Sequence, residues 1–295
     1  MAVAEQIERE DPGEDGDLRA FVRRLARELA AGDIRLPSFP DIAVRVQQVL
    51  ENPGATPARV ALVVGSDAAL AARILRLANS AFLNPSATRI KDLQLALTRL
   101  GHQLVRCTAI SFALQQLQFG SRDAQLRPQL QALWRDGALV ASIAYVLARE
   151  THAANPDEAL VTGLMHNIGR LYIAVAAPRC GGAGAHGAPW AEVVREWHPR
   201  VASSILTHWE FPAAVIAAVG DQDFWGRENR GSAGLTDLLI AATALAPCVF
   251  QRKLLAGTVE VVPTFQRLRL GADECTRLLA SSAQQIKSLR TALSP

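Results

Sequence analysis

Few residues in this chain combine a reactive side chain with a spacing that chemistry could use. Cys107, Cys180, Cys248 and Cys275 lie far apart, with no Cys-x-x-Cys pair and no short Cys/His ladder. Neither a zinc site nor a disulfide framework is expected from that spacing, and thiols scattered in this way read as reduced. The run Cys180-Gly181-Gly182-Ala183-Gly184-Ala185-His186-Gly187 is rich in glycine. It lacks the Gly-Lys-Ser/Thr ending and the preceding strand of a phosphate cradle, so it reads as a loop. Gly231-Ser232-Ala233-Gly234 lacks the Gly-x-Ser-x-Gly spacing of a nucleophile elbow. His166 sits in an apolar helical stretch and, taken alone, reads as a histidine hydrogen-bonded to a neighbour. Trp190, Trp197, Trp209 and Trp225 fall in the C-terminal half. Most should be core, while an exposed one would suit a partner contact.

A second chemistry to weigh is nucleic-acid binding. Residues 57–79 read as two short helices around Gly65, loosely like a helix-turn-helix, with Arg73, Arg76 and Asn79 as its contacts. The second helix opens on Asp67-Ala68-Ala69-Leu70, which sets an acid against phosphate and offers no base hydrogen bonds. A packed helix pair with a solvated arginine face is the preferred reading. Asn79 and Ser80 then end a helix by bonding local backbone.

Charge and composition narrow the class. The net charge is +3, but residues 1–17 carry −6 and the remainder +9. The basic residues are scattered rather than gathered on one stretch, unlike a nucleic-acid footprint. The acidic head reads as a disordered tail over 1–16. Hydrophobic residues make up 49% of the chain, which allows a substantial core. No uncharged apolar stretch reaches about 18 residues and no secretory h-region opens the chain, so no membrane span and a cytoplasmic location are expected.

The dominant period is helical. Leu18, Phe21, Val22, Leu25 and Leu29 form one stripe after Asp17, a plausible N-cap. Pro40, Thr56-Pro57, Ser66 or Asp67, Asp92 and Asn155-Pro156-Asp157-Glu158 mark further helix starts; Gly65 and Gly101 mark breaks. One long helix is predicted through Leu130, Trp134, Ile143 and Leu147. Others are predicted near 190–197, 200–209, 212–222, 233–247 and 272–292. Val259–Val262 is expected to be briefly extended.

Four segments together resemble the HDOD family, the HD-related output domain. They are Leu36-Pro37-Ser38-Phe39-Pro40; Ser66-Asp67-Ala68-Ala69-Leu70 through Arg76-Leu77-Ala78-Asn79-Ser80-Ala81-Phe82; Arg89-Ile90 to Leu100-Gly101; and Gly163-Leu164-Met165-His166-Asn167-Ile168-Gly169-Arg170. The likeness spans roughly 36–247. It implies an all-α fold, with an N-terminal helical bundle (17–122) packed on a C-terminal HD-like helical domain (123–295).

The resemblance also says where a metal phosphohydrolase site would lie. Such a site holds a divalent ion with His and Asp, and the ion activates water. Here Asp136 stands at the place of the first His, and Asn167 replaces the metal-binding Asp after His166. His198 stands at the place of a later His. The next His position, near Asp221-Gln222-Asp223, has none, and the distal Asp position near Ala241-Ala242 is empty. An amide is a weak, uncharged ligand. The resemblance therefore implies a non-catalytic bacterial signalling or regulatory module with no cofactor, acting through proteins or small ligands of a signalling or cyclic-di-nucleotide pathway. Asp136, His166, Asn167 and His198 mark a remnant site and a ligand cleft between the two halves. Nucleic-acid binding through 57–79 and residual phosphohydrolase activity are the alternatives. The oligomeric state is left open.

Overall fold

The structure is a computed structural model that describes residues 15–30, 41–52, 54–80, 83–84, 88–120, 126–177, 188–226, 231–249 and 255–293. Among these there are helices and turns but no strand, so the fold is all-α. In chain order the helices are α1 (Asp15–Ala30), α2 (Asp41–Glu51), α3 (Pro57–Gly65), α4 (Ala68–Ala78), α5 (Leu93–Gly120), α6 (Leu126–Thr151), α7 (Pro156–Met165) and α8 (Ile168–Ala176). Then follow α9 (Ala188–His208), α10 (Ala213–Gly220), α11 (Leu235–Leu245), a 3-10 turn at Pro247–Val249, α12 (Leu255–Val261), α13 (Thr264–Arg267), α14 (Ala272–Ser281) and α15 (Ala283–Leu293).

The starts follow from local chemistry. Thr56 accepts from the Arg59 amide, with Pro57 at the first helical position. Asp67 accepts from the amides of Ala69 and Leu70 at 2.9 and 3.0 Å. Asn155 does the same for Asp157 and Glu158, with Pro156 behind it. Each such cap satisfies amide donors that a helix start leaves without partners. Gly101, at φ 73°, breaks α5 with a backbone that only glycine adopts freely. Asn79 closes α4: its amide donates to the carbonyls of Leu75 and Ile90 and accepts from the Ile90 N–H at 2.7 Å. That fastens the segment ahead of α5 to the end of α4.

Four expectations are corrected. Helix α1 begins at Asp15, so Asp17 lies in its first turn rather than at the cap. The helices expected near 190–197 and 200–209 are one helix, α9, with Pro199 inside it. The stretch 272–292 is two helices that meet at Ser282. Val259–Val261 is helical, as the end of α12. Residues 1–14, Leu36–Pro40, Ala81-Phe82 and the glycine run 180–187 lie outside the described residues.

One continuous apolar core runs from Phe21 to Ala292. Helix α5 packs on α2, α3 and α4, while α6 pairs most extensively with α7. Both ends of the described chain cross over. Helix α1 lies on α9, with Phe21 and Trp190 ring centroids 5.3 Å apart, and its Glu28 accepts from the Tyr172 hydroxyl at 2.7 Å. Helix α15 packs on both α6 and α4. Pro156–Ala176 is the only described stretch long and apolar enough to cross a membrane, and it forms α7 and α8, mostly buried in this core.

Candidate functional site

Two glycines bring the site together. A Cβ on Gly163 would stand 2.4 Å from the Ala141 Cα, so only glycine lets α7 lie this close on α6. That approach sets the end of α7 beside Asp136. A Cβ on Gly169 would stand 1.9 Å from the His198 carbonyl oxygen. That second contact brings α9 onto α8 and puts His198 next to Arg170.

The first cluster is Asp136, His166 and Asn167. His166 is buried, and its Nδ1 lies 2.7 Å from the Gly163 carbonyl oxygen. A carbonyl only accepts, so Nδ1 donates to it, while Nε2 faces Asp136 Oδ2 at 3.4 Å. The buried Asn167 donates to the same carboxylate oxygen at 2.9 Å and to the Leu133 carbonyl at 3.3 Å. Gln222, also buried, donates to the carbonyls of His166 and Val219 and fixes the turn between α7 and α8 from below. Burial pushes the Asp136 carboxyl up. The hydrogen bonds from His166 and Asn167 and the positive charge of Arg170 outweigh that, and the group lies below its ordinary value.

The second cluster is Arg170, His198 and Asp223. His198 is fully buried, and its Nε2 is 2.7 Å from Asp223 Oδ2 and 2.9 Å from Arg170 Nη2. The carboxylate can only accept, which places the proton on Nε2. Arg170 is then a charge neighbour of the pair, 3.9 Å from the other Asp223 oxygen. His198 Nδ1 is buried without a hydrogen-bond partner. Burial first, and then the Arg170 charge, pull His198 below its ordinary value against the pull of Asp223. His198 is therefore neutral at pH 7. Burial pushes Asp223 up, but the His198 hydrogen bond and the nearby cations leave it lowered, hence ionised.

This donor set does not fit a divalent metal ion. The Asn167 amide turns its N–H side, not its oxygen, toward Asp136. His198 Nε2 is committed to Asp223, and the Arg170 guanidinium holds a positive charge beside both. Among the described residues no group of three or more His, Cys, Asp or Glu converges as metal ligands would. Helix α11 carries fully buried Ala241 and Ala242 at the distal position. Its buried acid, Asp237, is held in a two-pronged pair with Arg267, Nε to Oδ1 at 2.7 Å and Nη2 to Oδ2 at 3.1 Å.

Of the four residues singled out from the sequence, Asp136, His166 and Asn167 meet directly. His198 belongs to the second cluster. Sequence reasoning passed over Arg170 and Asp223. Arg170 is one helical turn from His166, and Asp223 sits where a histidine was sought. A groove of about 550 Å³ opens beside them. It is walled by α6, α8, α9 and the turn after α10, and none of the four residues singled out from the sequence lines it. Trp197 and Trp209 are core, whereas Trp225 is exposed.

The nucleic-acid contacts are mostly withdrawn by the fold. Arg73 is buried, with its guanidinium over the Trp134 ring at 5.4 Å, and Asn79 is used up in the bonds to Leu75 and Ile90. Of the three, Arg76 alone is exposed.

The family model of the HDOD domain matches residues 36–223. None of the curated proteins matches the chain. Among solved structures, a protein of Shewanella amazonensis SB2B, provisionally named a metal-dependent phosphohydrolase, is similar at 25% identity and TM-score 0.71, over 94% of this chain and 99% of that one. An HDOD domain protein of unknown function from Geobacter sulfurreducens is similar at 22% identity and TM-score 0.62, over 92% and 96%. A protein of Marinobacter aquaeolei VT8, provisionally named for signal transduction, is similar at 20% identity and TM-score 0.57, over 96% and 66%.

Proposed function

This chain belongs to the HDOD domain family, and we propose that it is a bacterial signalling or regulatory module whose HD-type centre holds no catalytic metal and turns over no phosphate ester. The observation that carries this reading is Arg170. Its guanidinium lies 2.9 Å from His198 Nε2 and 3.9 Å from Asp223, with a fixed positive charge where a metal ion would need free lone pairs. Asn167 supports it from the other side by tying up Asp136 with an amide N–H. A metal there would have to expel a guanidinium and turn an amide against its own hydrogen bonds. The clusters instead form two polar contacts, Asp136 with Asn167 between α6 and the start of α8, and His198 with Asp223 and Arg170 between α9, the turn after α10 and α8.

The partners proposed are signalling proteins, including components of cyclic-di-nucleotide pathways, met in the cytoplasm. The buried free thiols Cys107, Cys248 and Cys275 are in keeping with a reducing compartment. Cys180 lies outside the described residues.

The test is metal analysis of the purified chain, with a phosphohydrolase screen on nucleotides and cyclic dinucleotides with magnesium and manganese. Substoichiometric metal and no turnover are expected. Stoichiometric metal together with turnover lost in His166→Ala would refute the reading, and would fit the name given to the Shewanella protein.

A further inference from the structure

The groove beside Arg170 has a chemistry that these polar contacts do not explain. Arg170 and Arg195 put two guanidiniums on its walls, Trp190 and Trp225 put two indoles there, and Gln129 and Asp223 add an amide and a carboxylate. We propose that the groove binds a nucleotide, with the phosphate on the guanidiniums and the base against the indoles.

Each part of that ligand has its match. A volume of about 550 Å³ lies within the usual range for small-molecule sites, about 300 to 1,000 Å³. Guanidiniums are planar forks that suit phosphate oxygens. Arg170 is 37% exposed, and Arg195 is tied only to Glu192, in an exposed pair at 3.0 Å. Such a surface pair is held weakly and is readily exchanged for a better anion. Trp225 is 43% exposed and lines the groove, within reach of a flat ring bound there. Trp190 rests on Phe21, which holds its indole in place. Asp223 engages His198 through Oδ2, and its Oδ1 lies 3.9 Å from Arg170 on the groove wall. A simple anion would leave the indoles unused.

The proposal deepens the regulatory reading and rests on it: the nucleotide is bound and kept, not cleaved. The experiment is isothermal titration calorimetry of the full chain with GMP, AMP, CMP and UMP. Guanosine and inorganic phosphate serve as half-ligands, and recovered nucleotide is checked by chromatography. At least one nucleotide is expected to bind in the micromolar range, with each half-ligand about tenfold weaker or worse. Arg195→Ala and Trp225→Ala alter exposed side chains and should leave the circular dichroism spectrum and Tm unchanged. Each should weaken binding by about tenfold. Binding of every nucleotide only at millimolar levels, phosphate binding as tight as nucleotide, or both variants binding like the wild type would overturn the proposal. Cleaved nucleotide recovered after tight binding would leave it standing and sink the non-catalytic reading. Absence of binding without turnover would do the reverse.

Discussion

Asn167→Asp is the substitution that most directly probes the site, since it restores the residue type that the HD pattern implies. In the wild type the Asn167 amide donates to Asp136 Oδ2 at 2.9 Å from a buried position. The variant removes a hydrogen bond to a charged group, worth about 1.5–3 kcal/mol. It also sets a second carboxylate against the first. Two unit charges about 4 Å apart repel by about 4 kcal/mol at an effective dielectric of 20. The Asp136 side chain is 50% exposed, so screening reduces that to about 1–2 kcal/mol. The expected loss is about 2.5–5 kcal/mol at pH 8, summed from these two costs. The sign with pH follows. The carboxylate pair holds a proton more tightly folded than unfolded, so its folded value is raised. The variant's deficit is therefore small at acid pH and grows as pH rises above the ordinary carboxylate range. Urea unfolding midpoints of both proteins near pH 5 and near pH 8 measure it. A variant as stable as the wild type at the higher pH, or a deficit that does not shrink at the lower one, refutes the reasoning. Because Arg170 remains in place, the variant should still bind no stoichiometric metal; metal uptake would show that Asn167 alone had closed the site.

Gly169→Ala puts a methyl group 1.9 Å from the His198 carbonyl; the clash should cost about 3 kcal/mol or more, read as a large drop in the urea midpoint. Arg170→Ala removes a cation that holds His198 down, so NMR titration of the His198 ring should show its pKa rising. Asp136 and Asp223 both lie below their ordinary values, so the stability they add is present above the unfolded carboxylate pKa, about 4, and is lost as pH falls through their folded values. Asp136→Asn should flatten that acid limb of the stability–pH curve. Asp67→Ala deletes the cap of α4 and should cost about 1 kcal/mol by thermal unfolding, without touching the site.

The helical frame was legible because helix starts are local. Thr56-Pro57, Asp67 and Asn155-Pro156 announce themselves through side chains that bond amides two or three residues on. Helix continuation was less legible. Pro199 looks like a boundary, yet α9 runs through it, packed against α8 at Gly169. The alternation at Val259–Val262 resembles a strand, but no neighbouring strand exists among the described residues to pair with it. At the site, His166 and Asn167 stood out as adjacent residues, and Asp136 by its place in the family pattern. Arg170 and Asp223 did not, because their roles depend on where α9 and the turn after α10 come to rest. A search for missing histidines also looks past an aspartate that does another job. Asn79 ends its helix on backbone carbonyls as the preferred reading had it, whereas Arg73, expected on a solvated face, is buried: a sequence lists polar atoms, and only the fold says which are already spent.

The crossing of the two ends has a consequence for cooperativity. Helix α1, from the start of the described chain, lies on α9, while α15, from its end, packs on both α4 and α6. Neither half can loosen without stripping a helix from the other, so melting should pass through a single calorimetric transition, with van't Hoff and calorimetric enthalpies equal. For the regulatory module proposed above, the same interlacing predicts that a bound partner shifts side chains and surface segments rather than swinging the halves apart.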